Sequence, residues 1–284
     1  MELHEFVFNA KAAERARWQI IGMGDLHFGT ESFDEKRLKD TVKWIASDPY
    51  RYWVGLGDYC ELITYRDMRR FNPENIDRRF RISDLQGMLT KQIDAIGNIL
   101  FPVRKRCIGL ADGNHEFDAL RNYDREATQR LCQNLGTKHL GWTSLTRLVF
   151  RRKGKNNSPA ARVLTMLVEH SNFAGRKKGG KINRLEDRIS DFSFDIMLCG
   201  HSHDKVATTR NRLFLPTHGK LELKDRKIIM GIVPSFLRTY QVGTTSYGER
   251  NMYSPASLGV LVVNVWPFLS ANTSDNRLEM TIEQ

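Results

Sequence analysis

The 284-residue chain has no stretch apolar and long enough to cross a membrane as a helix. Such a span needs roughly 18 apolar residues. The best candidate, Leu258 to Leu269, is broken by Asn264 and Pro267. The start, Met1-Glu2-Leu3-His4-Glu5, is charged and lacks the apolar core of a secretory signal. Cysteine is scarce. Cys60, Cys107, Cys132 and Cys199 stand far apart with no Cys-x-x-Cys pair, which argues against a zinc ribbon or a disulfide scaffold. Reduced thiols in a cytoplasmic protein with no membrane partner are expected. Internal repeats and Ser/Pro linkers are missing, so a single domain over residues 1–284 is expected. Acidic residues fall short of basic ones, leaving a net charge of +11. That excess attracts a polyanionic partner at long range, and it equally suits a basic surface kept for solubility.

Short apolar runs read as buried strands: Gln19 to Met23, Tyr52 to Leu56, Arg106 to Ala111, Val163 to Val168 and Asp195 to Cys199. Their near-continuous apolar character predicts a sheet covered on both faces. Leu38, Val42 and Ile45 repeat at helical spacing behind Ser32 to Asp34. Leu85, Met88, Leu89, Ile93, Ile96 and Leu100 do so behind Ser83 or Asp84. A third helix is expected from Phe117 to Cys132, ending before Gly136. The alternation argues for α/β layering. Farther on, Leu145 to Arg151, Lys205 to Leu215, Arg226 to Val233 and Leu258 to Val265 read as strands of a second, more antiparallel sheet. Two basic surface insertions are expected, near 62–82, where Arg66 to Arg81 holds six arginines, and at 151–160, a hairpin tip.

The strand-like runs end in an unusual set of residues. Gln19 to Met23 leads into Gly24-Asp25-Leu26-His27, and Tyr52 to Leu56 into Gly57-Asp58. Arg106 to Ala111 leads into Asp112-Gly113-Asn114-His115-Glu116. Val163 to Val168 leads into Glu169-His170, and Asp195 to Cys199 into Gly200-His201-Ser202-His203. Ligands of open α/β sheets bind beyond the carboxyl ends of the strands. Asp25, His27, Asp58, Asn114, His170, His201 and His203 therefore form a candidate metal site. Two four-coordinate ions need eight bonds, and seven residues suffice if one carboxylate bridges. Asp58 is the natural bridge, since its two oxygens can each face a different ion. Two divalent ions, offset by Asp25, Asp58 and a hydroxide, leave a centre near about +1, suited to phosphoryl groups. The nitrogen-rich set favours manganese first, then zinc, iron, nickel or cobalt, over magnesium or calcium. Glycines 24, 57, 113 and 200 are expected to let the backbone turn tightly beside each donor. His4, His139 and His218 lack such a context.

Together, Asp25-x-His27, Gly57-Asp58, Gly113-Asn114-His115-Glu116, His170 and Gly200-His201-x-His203 closely resemble the calcineurin-like metallophosphoesterase superfamily. The resemblance spans residues 24 to 203. It implies a four-layer α/β/β/α sandwich with two mixed sheets. It also implies that Asp25, His27, Asp58 and His203 hold one ion and Asp58, Asn114, His170 and His201 the other. His115 would then be catalytic together with the bridging Asp58, protonating the leaving oxygen or stabilising transition-state charge. The usual Gly-His of the fourth motif is Glu169-His170 here, and Glu169 is expected to point back into the structure or to support a ligand. Glu61 stands where purple acid phosphatases carry a ligating tyrosine, so a tyrosinate-iron centre is not expected.

For substrate, the basic Gly-rich stretch Ser171 to Lys181 offers Arg176, Lys177, Lys178 and Lys181 as phosphate contacts. This stretch and Ser235 to Tyr240 are similar to phage- and prophage-type members of the superfamily, related to its DNA-repair nucleases. Basic segments at Arg66–Arg81, Arg147–Lys155, Arg176–Lys181 and Lys220–Lys227 are interleaved with Tyr65, Phe71, Phe80, Phe150 and Phe173. Charge with stacking rings is a footprint of nucleic-acid binding. The expectation is a dinuclear phosphodiesterase or nuclease acting on nucleic acid or nucleotides by attack of a metal-activated hydroxide. A phosphomonoesterase, for example on phosphoprotein, is the alternative, and a non-catalytic nucleic-acid-binding protein the third.

Overall fold

The structure is a computed structural model. It describes residues 1–8, 15–62, 75–80, 87–123, 126–153, 159–171, 177–219, 221–243, 245–270 and 278–283. In chain order the elements begin with β1 (Glu2–Phe8), β2 (Trp18–Met23), α1 (Glu35–Ala46), β3 (Arg51–Leu56), α2 (Met88–Leu100), β4 (Cys107–Ala111), α3 (Asn114–Tyr123) and α4 (Ala127–Leu135). They continue with β5 (His139–Gly141), β6 (Thr143–Lys153), β7 (Pro159–Glu169), α5 (Lys178–Asp191), β8 (Ile196–Cys199), β9 (Val206–Phe214), β10 (Lys224–Ile232), α6 (Tyr247–Arg250), β11 (Leu261–Trp266) and β12 (Glu279–Ile282).

Among the described residues the strands form two six-stranded sheets, ordered β12-β11-β2-β3-β4-β5 and β1-β6-β7-β8-β10-β9. Both are mixed. β2, β3, β4 and β5 run parallel, β11 pairs antiparallel with β2, and β12 pairs antiparallel with β11. In the other sheet β1 with β6, β7 with β8, and β8 with β10 are parallel pairs, and β6 with β7 and β9 with β10 are antiparallel ones. The expected difference in antiparallel content between the sheets is absent. β7 and β8 lie in the sheet that holds most of the later strands.

Three cores define the layers. Successive strand residues point to opposite faces, so Ile20 packs between the sheets and Ile21 faces outward. Val168 and Leu198 likewise face inward, while Leu167 and Met197 face outward. The inner core joins Val54, Leu56, Ile108 and Val263 to Leu148, Phe150, Leu164 and Met166. One outer core buries Leu38, Val42 and Ile45 of α1, Ile93 and Ile96 of α2 and Leu131 of α4 against β2 and β3. The other buries Leu185 of α5 against Leu167, Met197 and Met230. The result is an α/β/β/α sandwich, the architecture that the resemblance implies. Because both faces of the central strands are buried, no polar alternation interrupts their runs.

Local signals set the helix ends. Asp34 caps α1 by accepting the Arg37 N–H at 3.1 Å. α4 stops at Gly136, whose φ of 63° suits a residue without Cβ. The single helix expected over Phe117 to Cys132 is two, α3 and α4. α2 starts behind Gly87, and the caps expected at Ser83 or Asp84 lie outside the described residues. So do most of the 62–82 insertion and the tip of the β6–β7 hairpin at 154–158, whose arms pair up to Lys153 opposite Pro159.

Candidate metal centre

β2, β3, β4, β7 and β8 all end at one edge of the sandwich, and each passes directly into donor residues. The backbone there is unusual. Asp25, His27, Asp58, His201 and His203 all have positive φ, between 49° and 82°. Non-glycine residues rarely enter that region, and such strained positions cluster at active sites and ligand clamps. The turns are thus made by the donors themselves.

Of the four glycines expected to supply those turns, Gly57 alone has positive φ, 84°. The others are needed for room. A Cβ on Gly113 would stand 2.2 Å from the Asp58 nitrogen and 2.3 Å from Asp58 Oδ1. One on Gly200 would stand 2.5 Å from the Leu56 carbonyl oxygen, and one on Gly24 2.9 Å from Leu56 Cβ.

All seven donors meet. His27 Nε2 lies 3.1 Å from His203 Nε2, which lies 3.5 Å from Asp25 Oδ1. Asp58 Oδ2 is 4.0 Å from His27 Nε2 and 3.4 Å from His170 Nε2. Asn114 Oδ1 is 3.0 Å from His170 Nε2 and 2.7 Å from His201 Nδ1. Donors about 2.1 Å from a shared ion stand roughly 3.0–3.4 Å from one another, so these spacings fit two cation sites. They share Asp58. It is one oxygen, Oδ2, that faces both groups, because Oδ1 accepts the His115 backbone N–H at 3.0 Å. Both donor groups meet Asp58 on the side of that oxygen.

The chemistry of the donors points to cations as well. His27 Nδ1 donates to Glu61 Oε2 at 2.9 Å, and His170 Nδ1 to the Leu56 carbonyl at 2.7 Å. With Nδ1 so engaged, each ring turns Nε2 toward the other donors, a position that a proton or a metal ion can fill. Burial opposes charge on His170, but the Asp58 carboxylate outweighs it and pushes the imidazole up to about 10. Burial likewise raises Asp58, yet the charges of His170 and His115 hold it well below the usual carboxylate range.

Further residues support the donors. Glu116 is buried and accepts the N–H groups of Asp58 and Tyr59, each at 2.8 Å, and that of Cys60 at 3.3 Å. Burial and the Asp58 charge push its carboxyl up to about 7. Ser235 Oγ and the Phe236 N–H both donate to the Asp25 carbonyl, at 2.8 and 3.0 Å. Glu61 holds His27 through its carboxylate and accepts His115 Nδ1–H on its carbonyl at 2.5 Å. Glu169 points back into the structure: Arg188 Nε donates to it at 3.0 Å, tying α5 to the end of β7.

No family model matches the chain, and no curated protein does. Solved structures do. It is similar to a conserved, predicted phosphoesterase from Streptococcus pneumoniae TIGR4, at 13% identity and a TM-score of 0.33, over 88% of this chain and 83% of that one. It is also similar to Vps29 from Chaetomium thermophilum, at 12% identity and a TM-score of 0.36, over 94% of both chains. At such scores the metal centre stands on its own geometry.

The expected substrate contacts fare differently. Arg176 lies outside the described residues, and Lys177 and Lys178 are exposed at the start of α5. Lys181 is buried, with Nζ 2.5 Å from Asp204 Oδ2 and 3.2 Å from the Ser202 carbonyl, so it braces the His201–His203 turn rather than reaching for a phosphate. Phe150, expected as a candidate base platform, is fully buried against Phe8. Phe80 packs on Phe28, and Tyr65, Phe71 and Phe173 lie outside the described residues. Arg147 pairs with Glu5 and Arg226 with Asp195. His139 is satisfied by Asp112 at 2.9 Å.

A cleft of about 780 Å³ opens over the centre. His27, Asp58, Asn114, His115, His201 and His203 face it, and Arg238, Arg250 and Tyr253 also line it.

Proposed function

We propose that this chain is a dinuclear metal-dependent phosphoesterase of the calcineurin-like type, and that it hydrolyses phosphodiester bonds of nucleic acid or nucleotides. The observation that carries the reading is the pair of four-donor groups sharing Asp58 Oδ2, with His115 beside them. Asp25, His27, Asp58 and His203 would hold one divalent ion, and Asp58, Asn114, His170 and His201 the other, with manganese the first choice. Two such ions supply Lewis acidity toward phosphoryl oxygens and an activated water.

The protein's own groups do the rest. The Glu61 carbonyl fixes the proton of His115 on Nδ1, which leaves Nε2 free to carry a second proton into the site. Burial opposes charge on His115, but Asp58 and Glu61 raise its pKa overall. A protonated imidazole at that position can deliver its proton to the leaving oxygen, which departs poorly as an alkoxide. Preference for a diester is supported by the cleft, whose volume exceeds what one phosphoryl group fills. Exposed Lys177 and Lys178 and the net charge of +11 favour a polyanionic substrate, while Arg238 on the cleft wall is paired with Asp34 at 2.9 Å.

The test compares bis(p-nitrophenyl) phosphate with p-nitrophenyl phosphate on the manganese-loaded protein, followed by single-stranded DNA, duplex DNA and RNA. Turnover of diesters is expected. A monoester-only profile would move the assignment to a phosphomonoesterase. No turnover, with binding of DNA that survives Asp58→Ala, would remove the enzyme reading.

A further inference from the structure

Two large aromatic side chains stand exposed beside the metal donors, outside the cleft. Phe117 is 54% exposed and Trp142 40%. They meet edge to face, with ring centroids 6.2 Å apart at 75°. Trp142 in turn lies edge to face on the ligand candidate His170, at 5.6 Å and 77°, and its carbonyl accepts the His170 N–H. Phe117 sits three residues after Asn114, in the first turn of α3, and its N–H is held by the Gly113 carbonyl at 3.0 Å. Isolated exposed apolar residues are ordinary on a protein surface. A contiguous pair locked to two donor-bearing segments is different, since the fold has fixed two rings in the open at the rim of a reactive centre.

We infer that Phe117 and Trp142 form a stacking platform for one nucleobase of the substrate, on the His170 side of the centre. This rests on the phosphodiesterase reading and adds a substrate class to it: a nucleoside phosphodiester rather than a simple aliphatic or protein phosphate ester. Neither ring lines the cleft, which His27, Asp58, His201 and His203 face, so a nucleic-acid strand seated in the cleft would meet the rings beyond it, next to His170. Stacking is tolerant of base identity, because every base presents a flat π-face, so the platform selects for a base without selecting which.

The experiment has a kinetic and a binding arm, both on the full manganese-loaded chain. The kinetic arm uses thymidylyl-thymidine and its two analogues in which one base or the other is replaced by hydrogen. Removal of one particular base is expected to lower kcat/KM at least about fivefold, the low end for a stacked base. That penalty should shrink toward unity in Phe117→Ala, which leaves the Trp142–His170 contact in place, and should persist in Trp142→Phe. The binding arm needs no turnover. Adenosine 5′-monophosphate should quench tryptophan fluorescence, and ribose 5-phosphate should not. Phe117→Ala should raise the half-quenching concentration at least about fivefold. Equal kcat/KM for all three diesters, or equal penalties in the wild type and Phe117→Ala, would overturn the platform while leaving the phosphodiesterase standing. Turnover of none of the diesters, together with undiminished quenching in Phe117→Ala, would overturn both.

Discussion

Gly113→Ala changes no donor and adds one methyl group, yet it should dismantle the metal centre. The new Cβ would stand 2.2 Å from the Asp58 nitrogen, 2.3 Å from Asp58 Oδ1 and 2.6 Å from Glu116 Oε2. Carbon needs about 3.5 Å from a non-bonded neighbour, so something must move by roughly 1 Å. The methyl itself cannot swing away, and its neighbours are backbone and buried carboxylates. The displaced atoms therefore belong to Asp58, whose Oδ2 serves both donor groups. Misplacement of about 1 Å can cost roughly 100-fold in rate, and overpacking of this kind costs roughly 1–3 kcal/mol of stability. Gly97→Ala is the matched control. It lies inside α2, and its Cβ would meet Leu131 Cδ1 at an ordinary 3.5 Å, so it should be neutral or up to about 1 kcal/mol stabilising. Titration calorimetry with manganese, steady-state hydrolysis of a diester and urea unfolding read the three quantities. If Gly113→Ala binds two ions with wild-type affinity and retains activity within about threefold, close packing around Asp58 is not what sets the site.

Three further outcomes follow from the same geometry. In the metal-free protein His170 should be protonated at neutral pH, because its pKa is raised from 6.5 to about 10. Its contribution to stability is full below pH 6.5 and disappears as pH rises through about 10. An ion at His170 Nε2 must displace that proton. Manganese affinity should therefore climb by up to about tenfold per pH unit across this window, with close to one proton released. Calorimetry in two buffers of different ionisation enthalpy measures the release, and its absence would refute the protonation state. His115→Ala should retain both ions, since its bond to Asp58 comes from the backbone, while losing about 10²–10⁴ in kcat. Metal analysis beside kinetics separates the two effects, and loss of an ion would place His115 among the ligands. Glu116→Gln turns an amide N–H₂ toward backbone N–H donors, and should cost roughly 1–3 kcal/mol, read by thermal unfolding. An unchanged midpoint would show that Glu116 does not hold the Asp58 turn.

The centre was legible because its donors are polar interruptions of apolar runs. Asp25, Asp58, Asn114, His170 and His201 each follow a strand whose last residues are buried on both faces, and such contrast survives in one dimension. Which sheet a strand joins did not survive. Met166 and Ile196 pair with each other, yet their runs look like those of β2 and β3 in the opposite sheet. β1 and β12 escaped notice as sheet-edge strands with partly exposed faces, and β5 has only three residues. Glu116 lay in plain view in Gly113-Asn114-His115-Glu116, but its task depends on three N–H groups more than fifty positions away. Glycine beside a donor suggests a tight turn. Only the packing shows that Gly113 and Gly200 are small because Asp58, Leu56 and His170 crowd them.

The left-handed backbone at Asp25, His27, Asp58, His201 and His203 has an evolutionary corollary. Each such residue stores on the order of 1–3 kcal/mol that glycine would release. His203→Gly, at a partly exposed position, would trade a donor for relaxation. A library screened for heat resistance alone would therefore drift toward robust, inert proteins. Only selection that includes turnover can keep imidazoles and carboxylates where the chain would rather have none.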